Sequence, residues 1–491
     1  MQFYAYLSRF SDSIPRMRRA WAAALTGALL WSGVANAGNT DEVNAGLDVT
    51  LTGGAVVATV YTGAALWYNP AGLARIEKPS LEITGVTINM QVIKNPGLLT
   101  IDTTPQSQSE GSGFNVSVIP AALTFSLKLK NPNLKLGIGL FNSSIRREFM
   151  TEKAIAPAGS PLEDAEVEAY AGRNSRLDFF HISSGLATKF GKNRKQKVLF
   201  GGAFDLVIAS SRIDDSYTAI YNKGQSGQIN SSQVQTQTGF GFQLKAGLQW
   251  VPIPQVRIGF SVAAPTYVFA ALERFSSAYS QAPPAGTPVV DETDPEYPNR
   301  QFAEGAEERG GRGVWWGVEP GVLRFGVAYV GDWGWIEGDL IYQFRLREQE
   351  LGLDLRGFLN GRLGSSFRVT KNIKLGLGVF TDFSQVDDLA RLPLATRKVD
   401  FFGVHLGILF SNEEVHPDRQ TAEEKEGLGF SFAIGIRYSH GRGETLGLLF
   451  PVQYNPSEII TCGQSPVPNG CVGVPTKVNE IAINLGAKVA F

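Results

Sequence analysis

The amino-acid sequence predicts an all-β protein, a 14-stranded antiparallel transmembrane β-barrel with an N-terminal hatch, or plug, in the lumen. Three observations carry this expectation. The chain opens on an export-type segment and afterwards holds no apolar run of about 18 residues, so no transmembrane helix is expected. Fourteen later segments alternate apolar with small or polar residues at period two. The connections between them alternate short and long, as barrel turns and outer loops do.

Residues 1–37 read as a signal peptide. Arg9, Arg16, Arg18 and Arg19 form a basic start, Ala20 to Trp31 an apolar stretch, and Ala35-Asn36-Ala37 a small-residue cleavage site. An N-terminal membrane anchor is the alternative. Residues 38–79 read as the hatch: small, weakly amphipathic, and ended by the turn Asn69-Pro70-Ala71-Gly72. Residues 80–491 read as the barrel.

The barrel strands fall near 80–92, 114–129, 134–149, 176–191, 197–212, 235–251, 255–272, 320–331, 334–349, 354–369, 372–383, 400–411, 427–440 and 480–491. In the last of these, Ile481, Ile483, Leu485, Ala487, Val489 and Phe491 oppose Ala482, Asn484, Gly486, Lys488 and Ala490. A strand that closes on an aromatic resembles the signal read by the barrel-assembly machinery, with Phe491 as the residue recognised. If both ends of the barrel face the periplasm, every second connection is a periplasmic turn. Five of those six are short: 131–133, 192–196, 252–254, Asp332-Trp333 and Lys371. Two connections break the pattern: 350–353 is short where a long loop is expected, and 412–426 is long and acidic where a turn is expected.

Composition excludes other classes. Charged residues make up 19% of the chain and the formal net charge is −1, which favours no nucleic-acid partner. Mean hydropathy is too low for a helical bundle and suits alternating strands. No G-x-S-x-G, H-E-x-x-H or Cys–His arrangement is present, so no enzyme and no cofactor are expected. Cys462 and Cys471, within an outer loop of an exported chain, predict one disulfide, with a metal pair as the alternative. Trp315 and Trp316, beside a strand start, suit either an aromatic girdle or a landing site for an apolar ligand.

An N-terminal segment ending in Asn69-Pro70-Ala71-Gly72-Leu73-Ala74, followed at once by the first strand, resembles the FadL/TodX family of outer-membrane transporters. That family's hatch carries an Asn-Pro-Ala motif just before a fourteen-stranded barrel. The resemblance implies a monomer in the outer membrane of a Gram-negative bacterium, in contact with its lipid. It implies passive uptake of a hydrophobic ligand, such as long-chain fatty acids or hydrocarbons, with lateral exit through the wall. In the family that exit goes with an irregular third strand. The matching segment here loses its alternation at Asn142-Ser143-Ser144, as a bulge, an opening, or simply a strand leaving the bilayer. Recognition of a ligand carboxylate would need inward cations. By strand parity these are Arg324, Arg345, Arg356 and Arg362, along with Lys245, Arg257 and Arg437. Most of them are expected to pair with Glu337, Asp339, Asp205 and Asp354, with His181 and His405 in the same network. Secretion-associated barrels also carry Asn-Pro-Ala-Gly-Leu near their start. A scaffold that binds a protein partner is therefore the alternative function.

Overall fold

Alternating residues form strands because period two puts one face toward lipid and the other toward the lumen. The computed structural model describes residues 45–102, 107–119, 122–131, 133–155, 158, 167–190, 197–221, 227–282, 305–311, 319–348, 353–386, 397–412, 428–445, 447–451 and 473–491. Fourteen staves result. The first seven are β1 (Ser80–Asp102), β2 continued by β3 (Ser107–Ile119, Ala122–Lys128), β4 (Leu134–Ile155), β5 (Val167–Phe190), β6 (Lys197–Tyr221), β7 (Gly227–Ile253) and β8 continued by β9 (Val256–Ala263, Tyr267–Ala282). Next come β10 with β11 (Gly305–Gly311, Val322–Gly331), β12 with β13 (Gly334–Gln343, Leu346–Glu348), β14 with β15 (Leu353–Leu355, Phe358–Arg368) and β16 (Ile373–Asp382). The remaining staves are β17 (Arg397–Ser411), β18 (Gly429–Thr445) and, after the short β19 (Leu448–Pro451), β20 (Val474–Ala490).

Successive staves pair antiparallel, and β1 meets β20 from Ser80↔Ala490 to Lys94↔Lys477. That last pairing closes the cylinder. Closure is what hydrocarbon demands, because an open edge would leave backbone N–H and C=O groups unpaired. The outer face is apolar: Phe325, Val327 and Tyr329 are 41%, 42% and 51% exposed, whereas Arg324, between the first of them and Leu323, is buried. Among the described residues no helix is long and apolar enough to cross a membrane. The crossing is made by strands.

The strands run further than their apolar alternation suggests. A tilted stave needs about 9–11 residues to span a bilayer. The staves β4 to β7 have 22, 24, 25 and 27 residues. Segments expected as loops, such as 93–113, 150–175 and 213–234, are therefore partly strand, and β9 and β10 occupy parts of 273–319. Beyond the bilayer both faces are wet, so the apolar signal stops while the ladder continues. The short 350–353 link also has an explanation: β13 and β14 form a small ribbon of their own, Leu346↔Leu355 to Glu348↔Leu353. Most of the acidic 412–426 connection lies outside the described residues. Asn412 pins its ends, accepting from the Phe430 N–H at 2.6 Å and donating to the Leu428 carbonyl at 3.3 Å.

Residues 45–76, joined to β1 by Glu77 to Pro79, lie inside the cylinder. They contain helix α1 (Leu47–Thr52), helix α2 (Ala65–Tyr68) and a 3-10 helix (Pro70–Arg75). Helix α1 stops at Gly53, whose φ of 67° is the left-handed ending that glycine adopts without penalty. Every residue of α1 and α2 is buried.

Candidate functional site

The lumen wall is shaped to the main chain of residues 46–76. Glycines on its inner face let that main chain approach. A Cβ at Gly376 or Gly378 would collide with the Leu51 or Thr52 carbonyl, and one at Gly247 with Asn69. Polar wall groups then satisfy the backbone they face. The Asp339 carboxylate (Oδ2) accepts from the N–H groups of Val56 at 2.7 Å and Val57 at 3.1 Å. Glu337, two residues away on the same face of β12, accepts from the Ala58 N–H and the Thr59 hydroxyl. Glu82 accepts from the Leu47 N–H at 2.9 Å, and the Ser261 hydroxyl donates to the Tyr68 carbonyl at 2.6 Å. His405 Nε2 lies 2.6 Å from the Thr50 carbonyl. The sequence reading placed Glu337 and Asp339 in a network with wall arginines, and Arg362 does act on Asp339. Both carboxylates also accept from backbone N–H groups of the inner segment, a partnership that reading did not name.

Asn69 joins that segment to the wall. Its Nδ2 donates to the Val57 carbonyl at 2.9 Å and to the Leu248 carbonyl of β7 at 3.0 Å. Its Oδ1 accepts from the Ala71 N–H at 3.2 Å, capping the 3-10 helix that Pro70 begins. Pro70, Ala71 and Gly72 are buried, and a Cβ on Gly72 would strike the Val60 carbonyl. An Asn-Pro turn with three side-chain hydrogen bonds is a strut as well as a chain reversal.

Above the turn sits a cage around Trp67. The Lys245 ammonium is 4.1 Å from the centroid of the Trp67 ring, a cation–π contact in a buried setting. His181 meets the ring edge-on at 5.0 Å, and Phe141 lies at 5.6 Å. Lys245 also pairs with Asp205. Asp205 faces His181 Nδ1 at 3.1 Å, and Glu319 faces His181 Nε2 at 3.0 Å. His181 and Asp205 were expected in a lumen network and are in one. Trp67 and Glu319 were not expected, because neither lies in an alternating segment that assigns it a face.

Phe141 links the cage to the wall's irregularity. The β3–β4 ladder ends at Ala122↔Phe141, while β4 continues with β5 as far as Ile155. Between Asn142 and Ile145 the β4–β5 register shifts, so β4 carries one extra residue there. Asn142-Ser143-Ser144 is thus a bulge. Of the other candidates, Arg324 and Arg362 are buried in the lumen, and Arg362 donates to the Gly54 carbonyl at 3.4 Å. Arg356 is half-buried beside the Gln385 carbonyl, which accepts its backbone N–H. Arg345 departs from expectation. It is exposed, because β12 ends at Gln343 and β13 begins at Leu346, and this break resets the parity that placed it inward. Trp315, Trp316, Cys462 and Cys471 lie outside the described residues.

A closed 14-stranded barrel with an apolar outer band is the architecture of bacterial outer-membrane proteins, and this chain is one of them. Its fold is that of the FadL and TodX channels. A FadL homologue of Pseudomonas aeruginosa superposes with TM-score 0.55 at 12% identity, covering 93% of this chain and 100% of that one. The toluene transporter TodX of P. putida gives 0.51 at 14% identity, covering 92% and 99%. The monoaromatic hydrocarbon channel CymD gives 0.51 at 12% identity, covering 92% and 99%. No family model and no curated protein matches the sequence.

Proposed function

We propose that this barrel takes up hydrophobic ligands passively across the outer membrane, with residues 38–79 as the hatch and a lateral exit at the β4 bulge. Residues 1–37 are its signal peptide and residues 80–491 its barrel. The observation that carries the reading is the contact chain from the inner segment through Trp67 and Phe141 to the bulge at Asn142. A segment hydrogen-bonded across the lumen leaves an apolar solute little reason to continue into the periplasm. Entry into lipid is worth about 0.8 kcal/mol per buried CH₂, so a wall opening at bilayer height is the favoured way out. Arg324 and Arg362 are the lumen cations for an acidic head group. The fold-level likeness to hydrocarbon and fatty-acid channels supports a channel over an enzyme.

The test is uptake of a labelled long-chain fatty acid and of toluene by cells carrying Asn69→Ala or Trp67→Ala. Both variants are expected to insert normally, judged by heat-modifiable gel mobility, and to change uptake. Unchanged uptake of every hydrophobic solute tried would refute the channel reading and favour a scaffold that binds a protein partner.

A further inference from the structure

A chamber lies on the short-turn side of the inner segment, lined by its residues Asp48, Thr59 and Tyr61. It is a cavity of about 400 Å³, bounded by the short turns Pro254-Gln255 and Asp332-Trp333 and by the adjoining ends of β15 and β16. Ligand pockets span about 300–1,000 Å³, so its size is that of a small-molecule site. Three cations line it: Arg257, Arg368 and Lys374. They come from three different staves and occupy inward positions, so strand parity directs their charges into one space. Asp48 of α1 is the carboxylate inside the chamber, while Asp332 stands exposed on its turn. Lys488 and Arg75, beyond the lining, also act on Asp48, as do Lys374 and Arg257. Among the described lining residues, three cations stand with two carboxylates, Asp48 and Asp332.

Aromatic rings share the lining with small and polar groups such as Thr59, Gln255 and Ser366. Trp335 is buried on the inner face of β12, Trp333 stands on the adjoining turn, and Tyr61 projects from the inner segment. Tyr61 carries Arg75 over its ring at 6.0 Å. Guanidinium and ammonium groups bind carboxylates through short charge-assisted hydrogen bonds, and indole and phenol rings pack against a flat apolar body. We infer that this chamber at the short-turn end is a binding site for a small aromatic carboxylate, with Arg368 and Lys374 holding the carboxylate and Trp335 and Tyr61 the ring. The inference does not depend on the uptake reading, because it concerns a different compartment and a charged ligand.

Titration of the full chain in detergent or nanodiscs by isothermal calorimetry tests it, with benzoate, neutral benzamide and octanoate as probes. Benzoate is expected to bind one to one, more weakly as salt rises, and more tightly than either other probe. The double variant Arg368→Gln/Lys374→Gln is expected to weaken benzoate by at least about tenfold, the equivalent of one lost charge-assisted hydrogen bond. Fold is checked by heat-modifiable mobility. If the double variant fails to fold, Lys374→Gln alone carries the same test. Benzamide binding as tightly as benzoate would overturn the anion site, and so would benzoate binding that survives the substitutions. Octanoate binding as tightly as benzoate would overturn the aromatic assignment. Fatty-acid uptake unaffected by Lys374→Gln would keep the chamber distinct from the transport route, and loss of uptake would merge the two and overturn their separation.

Discussion

Replacing Asp339 with alanine should unseat the inner segment without opening the barrel. The Asp339 carboxylate receives two backbone N–H groups, from Val56 and Val57, in a buried setting. Removing it leaves both donors without their acceptor, and each orphaned buried N–H costs about 1–3 kcal/mol. The seat should therefore weaken by about 2–6 kcal/mol, which at about 1.4 kcal/mol per decade is at least about 30-fold in its opening equilibrium. Hydrogen–deuterium exchange read on peptides covering residues 54–60 measures that opening, with peptides from β16 and β17 as internal standards. Protection at 54–60 should fall while the strand peptides stay protected. Asp339→Asn keeps an acceptor without the charge, and should lose about half as much. If Asp339→Ala leaves protection at 54–60 unchanged, the wall carboxylates do not hold the segment and the account of its seating fails.

Three further outcomes follow from the same geometry. Gly247→Val puts a side chain where Asn69 and Pro70 already sit, so it should cost about 1–3 kcal/mol and increase proteolytic cleavage within residues 60–72 while the barrel still inserts. Ile434→Arg places a charge on the lipid face of β18 and should cost about 2–4 kcal/mol if it sits near the midplane, measured by urea titration in lipid vesicles. Burial raises the Asp48 carboxyl above its ordinary 3.8, against the pull of Lys374, Lys488, Arg75 and Arg257. The seated form then binds the proton more tightly than the released form. Its stabilisation is complete below 3.8 and declines as pH rises toward the raised value, so Asp48→Asn should flatten the pH dependence of exchange in α1.

Much of the barrel was legible because lipid writes a simple rule. Wherever a stave crosses hydrocarbon, alternate residues must be apolar, and Phe325, Val327 and Tyr329 obey it. The outer halves of β4 to β7 run beyond the about 9–11 residues a bilayer crossing needs, so hydrocarbon imposes no alternation on their sequence. Parity also placed Arg324, Arg362, His181 and Asp205 inside, since a continuous strand transmits its facing from residue to residue. It failed at Arg345, where the strand breaks and the count restarts. What parity cannot supply is the partner of an inward group. Nothing along β12 says that Glu337 and Asp339 face amides contributed from nearly three hundred residues earlier. The Asn69-Pro70 turn was visible as a turn, but its hydrogen bond to Leu248 depends on where β7 lies in space.

Much of the seat that Asp339, Glu337 and the wall glycines provide is read by amides and carbonyls, which do not depend on the side chain they carry. Substitutions that keep the segment's bends, its glycines and the Thr59 hydroxyl leave that part of the closure in place. The vulnerable letters of such a gene lie in the wall, at glycine codons.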